Sequence, residues 1–177
     1  MSRHPASDPN DPVLQRAQSM RLTTKSRYGM RLILDLALYG VDKPVPLGDV
    51  SKRQKISLKY LEKLIAKLKH AGLVKSYRGP FGGHKLAKSP QDITVGDIVR
   101  VLEETSAITN CADKREKVCG ICSRAGECVT QWVWIEASRT MFKRLDEINI
   151  AMLLNQHDVI VQEVRTYIRV PPSNQTA

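Results

Sequence analysis

The chain has 177 residues, 42% of them apolar, and a formal net charge of +10. That length can bury a core and that apolar share excludes wholesale disorder; no run of about 18 apolar residues offers a membrane span, and the opening "MSRHPASDPNDPVLQRAQS" lacks the apolar stretch of a secretory signal. The charge is concentrated, because residues 20–90 hold 16 Lys and Arg against 4 Asp and Glu, while residues 91–177 hold 10 against 12. A generally basic, soluble surface would account for the sum, but one basic segment is the footprint of a surface that neutralises phosphates.

In chain order, residues 1–19 are rich in Pro, Asp and Ser, lack apolar periodicity and read as a mobile extension. In "MRLTTKSRYGMRLILDLALYG", Thr23 or Thr24 caps a helix whose apolar positions Leu32, Ile33, Leu36 and Ala37 share a face, and Gly40 stops it. A turn follows, then a short helix with Leu47 and Val50 inward. In "KISLKYLEKLIAKLKHAGLV", Ser57 is the N-cap and Ile56 staples to Leu61. Leu61, Leu64, Ile65 and Leu68 form one stripe, with Lys59, Lys63, Lys67 and Lys69 largely off it. Two short helices joined by "QKI", the second basic outside, read as a helix-turn-helix.

"LVKSYRGPFGGHKLAKSP" reads as a β-hairpin with a long loop, hence a wing, and "DITVGDIVRVLEE" as a helix with Val95, Ile98, Val99 and Leu102 inward. From Val129 to Gln156 there is neither Gly nor Pro, and Val133, Ala137, Met141, Leu145, Ile148 and Met152 recur at helical spacing. One helix over 129–156 would run about 42 Å and needs a partner, either a second copy or its own winged module. The expected architecture is mainly α with a small β-hairpin wing. It comprises an extension (1–19), a winged helix-turn-helix DNA-binding domain (20–105), a cysteine-rich loop (106–128), a dimerisation helix (129–156) and a flexible tail (157–177).

All four cysteines, Cys111, Cys119, Cys122 and Cys128, fall in that loop with the spacing C-x7-C-x2-C-x5-C. In a cytoplasmic chain this reads as a metal site before it reads as disulfides. Zinc knuckles prefer two C-x2-C pairs and only one exists here, while iron–sulfur loops use mixed spacings, so spacing leaves zinc and iron both open. A metal-free redox dithiol at Cys119 and Cys122, or four reduced thiols, remain alternatives. An enzyme is not expected: no Gly-rich phosphate loop follows a strand, and His4, His70, His84 and His157 are scattered.

The ordered set "MRLTTKSRYGMRLILDLAL", "ISLKYLEKL", "RGPFGGHKL" and a cysteine loop resembles the Rrf-two family of bacterial winged-helix regulators, whose best-known types are the iron–sulfur cluster regulator and the nitric-oxide-sensing repressor. The resemblance spans roughly residues 20–155. It implies a homodimeric transcription factor with a long dimerisation helix, an operator of approximate two-fold symmetry and a functional start at Met20. By similarity, Ser57, Lys59, Tyr60, Glu62 and Lys63 contact DNA from the recognition helix. Ser57 doubles as cap and phosphate ligand, and Glu62 suits a cytosine amino group. In the wing, Gly79, Gly82 and Gly83 permit a tight backbone, Pro80 stiffens it, and Arg78 is thrust toward a narrow minor groove. Arg21, Lys25 and Arg27 add phosphate contacts.

The resemblance also implies an iron–sulfur cluster, with Cys111, Cys122 and Cys128 matching the family's three cysteines. The cluster-regulator type carries His three residues after the last cysteine, where this chain has Gln131, a poor iron ligand. Other members use an acidic residue in the first helix, where this chain has Arg27 and Arg31. Under the resemblance Cys119 is then the fourth ligand, and four thiolates hold a 2Fe–2S or a 4Fe–4S cluster, the former favoured. Trp134 stands where family members carry Trp and is expected against the dimer partner.

Overall fold

A computed structural model describes residues 22–103, 107–113, 124 and 126–168. Arg21, Cys119, Cys122, the extension 1–19 and the end of the tail, 169–177, lie outside the described residues.

Helix α1 (Thr24–Tyr39) starts at Thr23, whose Oγ1 accepts from the Lys25 N–H at 3.1 Å, and ends at Gly40. It buries Leu32, Ile33, Leu36 and Ala37, the face expected from their spacing. Helix α2 (Leu47–Gln54) and helix α3 (Leu58–His70) are joined through Lys55, which sits in the left-handed region at φ 53. Strands β1 (Val74–Tyr77) and β2 (Gly83–Leu86) pair antiparallel with Val74 opposite Leu86 and Tyr77 opposite Gly83. Helix α4 (Val95–Leu102) follows, opened by a capping box in which Thr94 and Asp97 satisfy each other's backbone N–H. Leu32, Ile33, Leu36, Val50, Leu61, Leu68, Ile98 and Leu102 are fully buried in one core. Gly29 is what lets α1 and α4 close on each other, since a Cβ there would overlap the Leu102 side chain.

A buried polar cluster fixes the helix-turn-helix against α1. The Asp35 side chain, 0% exposed, accepts from Arg53 Nε at 3.0 Å, Arg53 Nη2 at 2.6 Å and Gln54 Nε2 at 2.9 Å. Arg31 Nε donates to Gln54 Oε1 at 3.0 Å, and Arg53 lies 4.2 Å over the Tyr39 ring. A buried carboxylate with this many donors tolerates desolvation that an unpaired one would not.

The expected single helix over 129–156 is corrected. Helix α5 (Val129–Asp146) stops, α6 (Ile150–Asn155) starts afresh at Asn149, and α7 (His157–Ile168) continues where a fraying tail was expected. The break has a local cause, as Asn149 Oδ1 accepts from the Met152 N–H at 2.9 Å and so caps a new helix. It has a tertiary one as well: Asn149 bridges Thr94, Val95 N–H donates to Ile148 O at 2.8 Å, Ile150 N–H donates to Ile93 O at 3.0 Å, and the Ile150 side chain is wholly buried in the winged core. Arg100 adds a bidentate pair to Asp146, at 2.7 and 2.6 Å, and stacks 4.7 Å over Phe142. No helix among the described residues is long and apolar enough to cross a membrane.

Candidate nucleic-acid interface and cysteine site

The first turn of α3 turns its outer face to solvent. Ser57, Lys59, Glu62 and Lys63 are exposed, off the buried stripe of Leu61, Leu64, Ile65 and Leu68. Ser57 holds the N-cap position, but the expected hydroxyl cap does not form. Its carbonyl starts the helix, accepting from the Tyr60 and Leu61 N–H groups at 3.0 and 3.1 Å, and its hydroxyl makes no capping bond. Tyr60 is half-buried, edge-on to Tyr28 with ring centroids 5.8 Å apart, and its hydroxyl shares a 3.3 Å hydrogen bond with Thr24. Tyr60 therefore joins the recognition helix to the start of α1, next to Lys25.

The N-terminus of α1 is already occupied by an anion of the protein itself. The Glu103 carboxylate, just past α4, accepts from Thr23 N–H at 2.9 Å, Thr23 Oγ1 at 3.0 Å, Ser26 N–H at 3.3 Å and the Ser26 hydroxyl. A carboxylate there complements the helix dipole. Phosphate contacts at this edge are thus left to side chains rather than to the amides of α1.

In the wing, the loop between β1 and β2 presents Arg78, Pro80 and Phe81 to solvent, while Gly82 and Gly83 are half-buried. Val45 pairs with His84 through two 2.9 Å backbone hydrogen bonds and makes a third, one-residue strand beside β2, close to the loop end of the hairpin. The His84 imidazole, sharing a 3.0 Å hydrogen bond with Ser76, titrates below its ordinary value because of burial and the nearby Lys69 cation.

Two of the four cysteines fall in the described residues, and they converge. Cys111 lies in a 3-10 turn (Asn110–Ala112), and Cys128 is the N-cap residue of α5. Gln131, one turn into α5, donates from Nε2 to Cys111 O at 2.6 Å and accepts on Oε1 from Gly126 N–H at 2.9 Å. Both ends of its amide are therefore engaged in closing the loop. Ile108 N–H donates to Ser138 Oγ at 3.0 Å, which docks the start of the loop lower on the same helix. The Cys128 thiol is held below its ordinary value by the Thr130 hydroxyl 3.0 Å away, by the N–H groups of Gln131 and Thr130 and by the Arg124 charge. Thr109 Oγ1 lies 3.2 Å from Cys111 Sγ. Among the described residues no group of three His, Cys, Asp or Glu side chains is placed to hold a metal. Arg31, in α1, donates to Gln54.

The sequence reading missed Gln131 as a clamp and Glu103 as a cap. Only Gln131's place after Cys128 hinted at a role, and nothing local marks Glu103.

A helix-turn-helix with a β-hairpin wing, a basic recognition helix and a clamped cysteine loop defines the class as a winged-helix regulator of transcription. Residues 22–156 match the family model Rrf2, described as an iron-dependent transcriptional regulator. The chain belongs to the Rrf2 family, whose members are DNA-binding regulators of transcription and not enzymes. It is 44% identical over 135 residues to the protein rrf2 of Nitratidesulfovibrio vulgaris Hildenborough, covering 76% of this chain and 87% of that protein. The solved structure of T. potens IscR is similar at TM-score 0.62 and 38% identity, over 78% of this chain and 88% of that one. CymR, the global cysteine regulator of B. subtilis, is similar at TM-score 0.62 and 32% identity, over 76% of this chain and 95% of that one.

Proposed function

We propose that this regulator acts in the cytoplasm as a homodimer on operator DNA of approximate two-fold symmetry, and reports the state of an iron–sulfur cluster held by Cys111, Cys119, Cys122 and Cys128. The observation that carries the reading is the Gln131 clamp. It draws the Cys111 and Cys128 ends of the loop to the head of α5 and engages its amide at both ends, which supports thiolates rather than Gln131 as the donors. Four thiolates fit a 2Fe–2S or 4Fe–4S cluster, and the 2Fe–2S form is the one favoured. When bound, the cluster supplies one-electron chemistry and a target for oxidants and nitric oxide.

The chain's own residues carry the consequence. Cys128 begins α5, while Ser138 and Phe142 dock α5 against the loop and α4, so the packing of α5 responds to how the loop is held. DNA affinity changes only as far as the bound state favours one arrangement over another. Lys59, Glu62 and Lys63 enter the major groove, with Ser57 and Tyr60 on the phosphates at its edge. Arg78 carries the wing into the minor groove on a backbone shaped by Gly79, Pro80, Gly82 and Gly83, and Lys25 and Arg21 take phosphates.

Dimerisation is supported by α5. Val133 is 47% exposed, about 180° around the helix from the buried Phe142. Trp132 and Trp134 are exposed in the same turns. Val133→Glu is expected to shift sedimentation from dimer to monomer, and an unmoved dimer would place the interface elsewhere.

A second reading, a metal-free thiol switch at Cys119 and Cys122, is supported by the similarity to CymR of Staphylococcus aureus, solved in an oxidized form. The deciding experiment is purification without oxygen, with iron, sulfide and zinc assayed beside the visible spectrum and operator affinity measured for loaded and apo protein. Matched iron and sulfide with unequal affinities support the cluster reading. Equal affinities remove cluster sensing, stoichiometric zinc points to a structural metal, and a colourless protein whose affinity follows thiol oxidation supports the switch.

A further inference from the structure

Phe81 is the most exposed large apolar side chain among the described residues, at 92%. It is not there by default of structure. Gly82 N–H donates to Gly79 O at 2.9 Å, which closes a β-turn with Pro80 and Phe81 at its two central positions. Phe81 is not among the residues of positive φ, so the turn is of type I, the form that favours Pro at the second position and Gly at the fourth. Gly79 itself sits at φ +108, where a side chain would be strained, and a Cβ on Gly82 would press on the carbonyl oxygens of Tyr77 and Gly79. The tip is thus a short, stiff turn, braced below by the β1–β2 pairing and the Val45–His84 bridge. It holds a phenyl ring at the turn of the wing, in the same loop as the exposed Arg78.

A phenyl group left in water at a rigid tip gains nothing for folding, so the stability of the chain does not account for it. Beside an arginine suited to a narrow minor groove, the same ring has an occupant of stated chemistry. Proteins that enter the minor groove insert Phe, Leu, Ile or Met between base steps, unstack them partly and kink the duplex. We infer that Phe81 is a minor-groove wedge: Arg78 draws the wing into the groove, and the Phe81 ring inserts at a flexible pyrimidine–purine step and bends the operator. The inference rests on the reading of this chain as an operator-binding protein, and it assigns part of the specificity to deformability of the step that receives the ring.

The test uses the full chain, purified without oxygen, and duplexes recovered on it by selection from a random-sequence library, carrying 2-aminopurine at the steps facing the wing. Phe81 is so exposed that Phe81→Ala leaves the fold intact, and Phe81→Leu keeps an apolar wedge. Wild-type protein is expected to raise 2-aminopurine fluorescence at one step and to shorten the end-to-end distance of a doubly labelled duplex. Phe81→Ala should lose both signals and bind about tenfold more weakly, with the slope of log affinity against log salt unchanged because Arg78 remains. Phe81→Leu should retain most of both. If Phe81→Ala binds and bends as wild type does, or alters only self-association, the wedge is overturned while operator binding stands. If the wild-type chain selects no duplex at all, both readings fall together.

Discussion

Replacing Asp35 with Ala tests whether the buried polar cluster holds the helix-turn-helix. The substitution removes three acceptor contacts, two to Arg53 and one to Gln54. Breaking a buried pair from one side costs about 3–5 kcal/mol. The Arg53 side chain is 32% exposed and keeps the Tyr39 ring, so part of its solvation returns. The expected loss is therefore about 3 kcal/mol, at the lower end of that range. With a urea slope of about 2 kcal/mol/M this lowers the midpoint by about 1.5 M. The assay is urea unfolding of wild type, Asp35→Ala, Arg53→Ala and the double variant. The double variant should be less damaged than the sum of the singles, since no cation is then left stranded. A loss under about 1 kcal/mol for Asp35→Ala, or strict additivity in the cycle, would refute the assignment.

Gly29→Ala is expected to cost about 1–3 kcal/mol by driving a methyl into Leu102, read as a lower melting temperature; an unchanged melt would mean that α1 and α4 separate freely. Asp146 titrates below its ordinary value because Arg100 hydrogen-bonds it, so its contribution is complete above the unfolded carboxylate pKa and is lost as pH falls through the lowered folded value. The stability gap between wild type and Asp146→Asn, at most about 1 kcal/mol for so exposed a pair, should close in acid. A gap that widens there would contradict the assignment. Gln131→Ala should open the loop, seen as faster amide exchange around Cys111 and Gly126 with α3 unaffected, and unchanged exchange would remove the clamp.

The winged module was legible because its signals are local. The spacing of Leu61, Leu64, Ile65 and Leu68, the Gly/Pro tip of the hairpin and the Val95-to-Leu102 stripe each report a buried face within one element. The break at Asn149 was not, because a cap residue inside a Gly- and Pro-free run looks like ordinary helix until Thr94 and Ile93, some fifty residues earlier, claim its backbone. The Val45–His84 bridge and the Glu103 cap are likewise long-range pairings with no local pattern. At the cysteine site the spacing pointed to chemistry, but Gln131 could be read only as a missing ligand, since its two partners are separated from it in sequence.

The burial of Ile150 changes what kind of object the regulator is. The chain leaves the winged core at Glu103 and re-enters it at Ile150, and α5 is already tied to α4 before that through Asp146 and Phe142. A span tethered twice cannot swing like an appended arm. Any shift of α5 therefore reaches the α4 backbone directly, through the Val95 N–H bond to the Ile148 carbonyl.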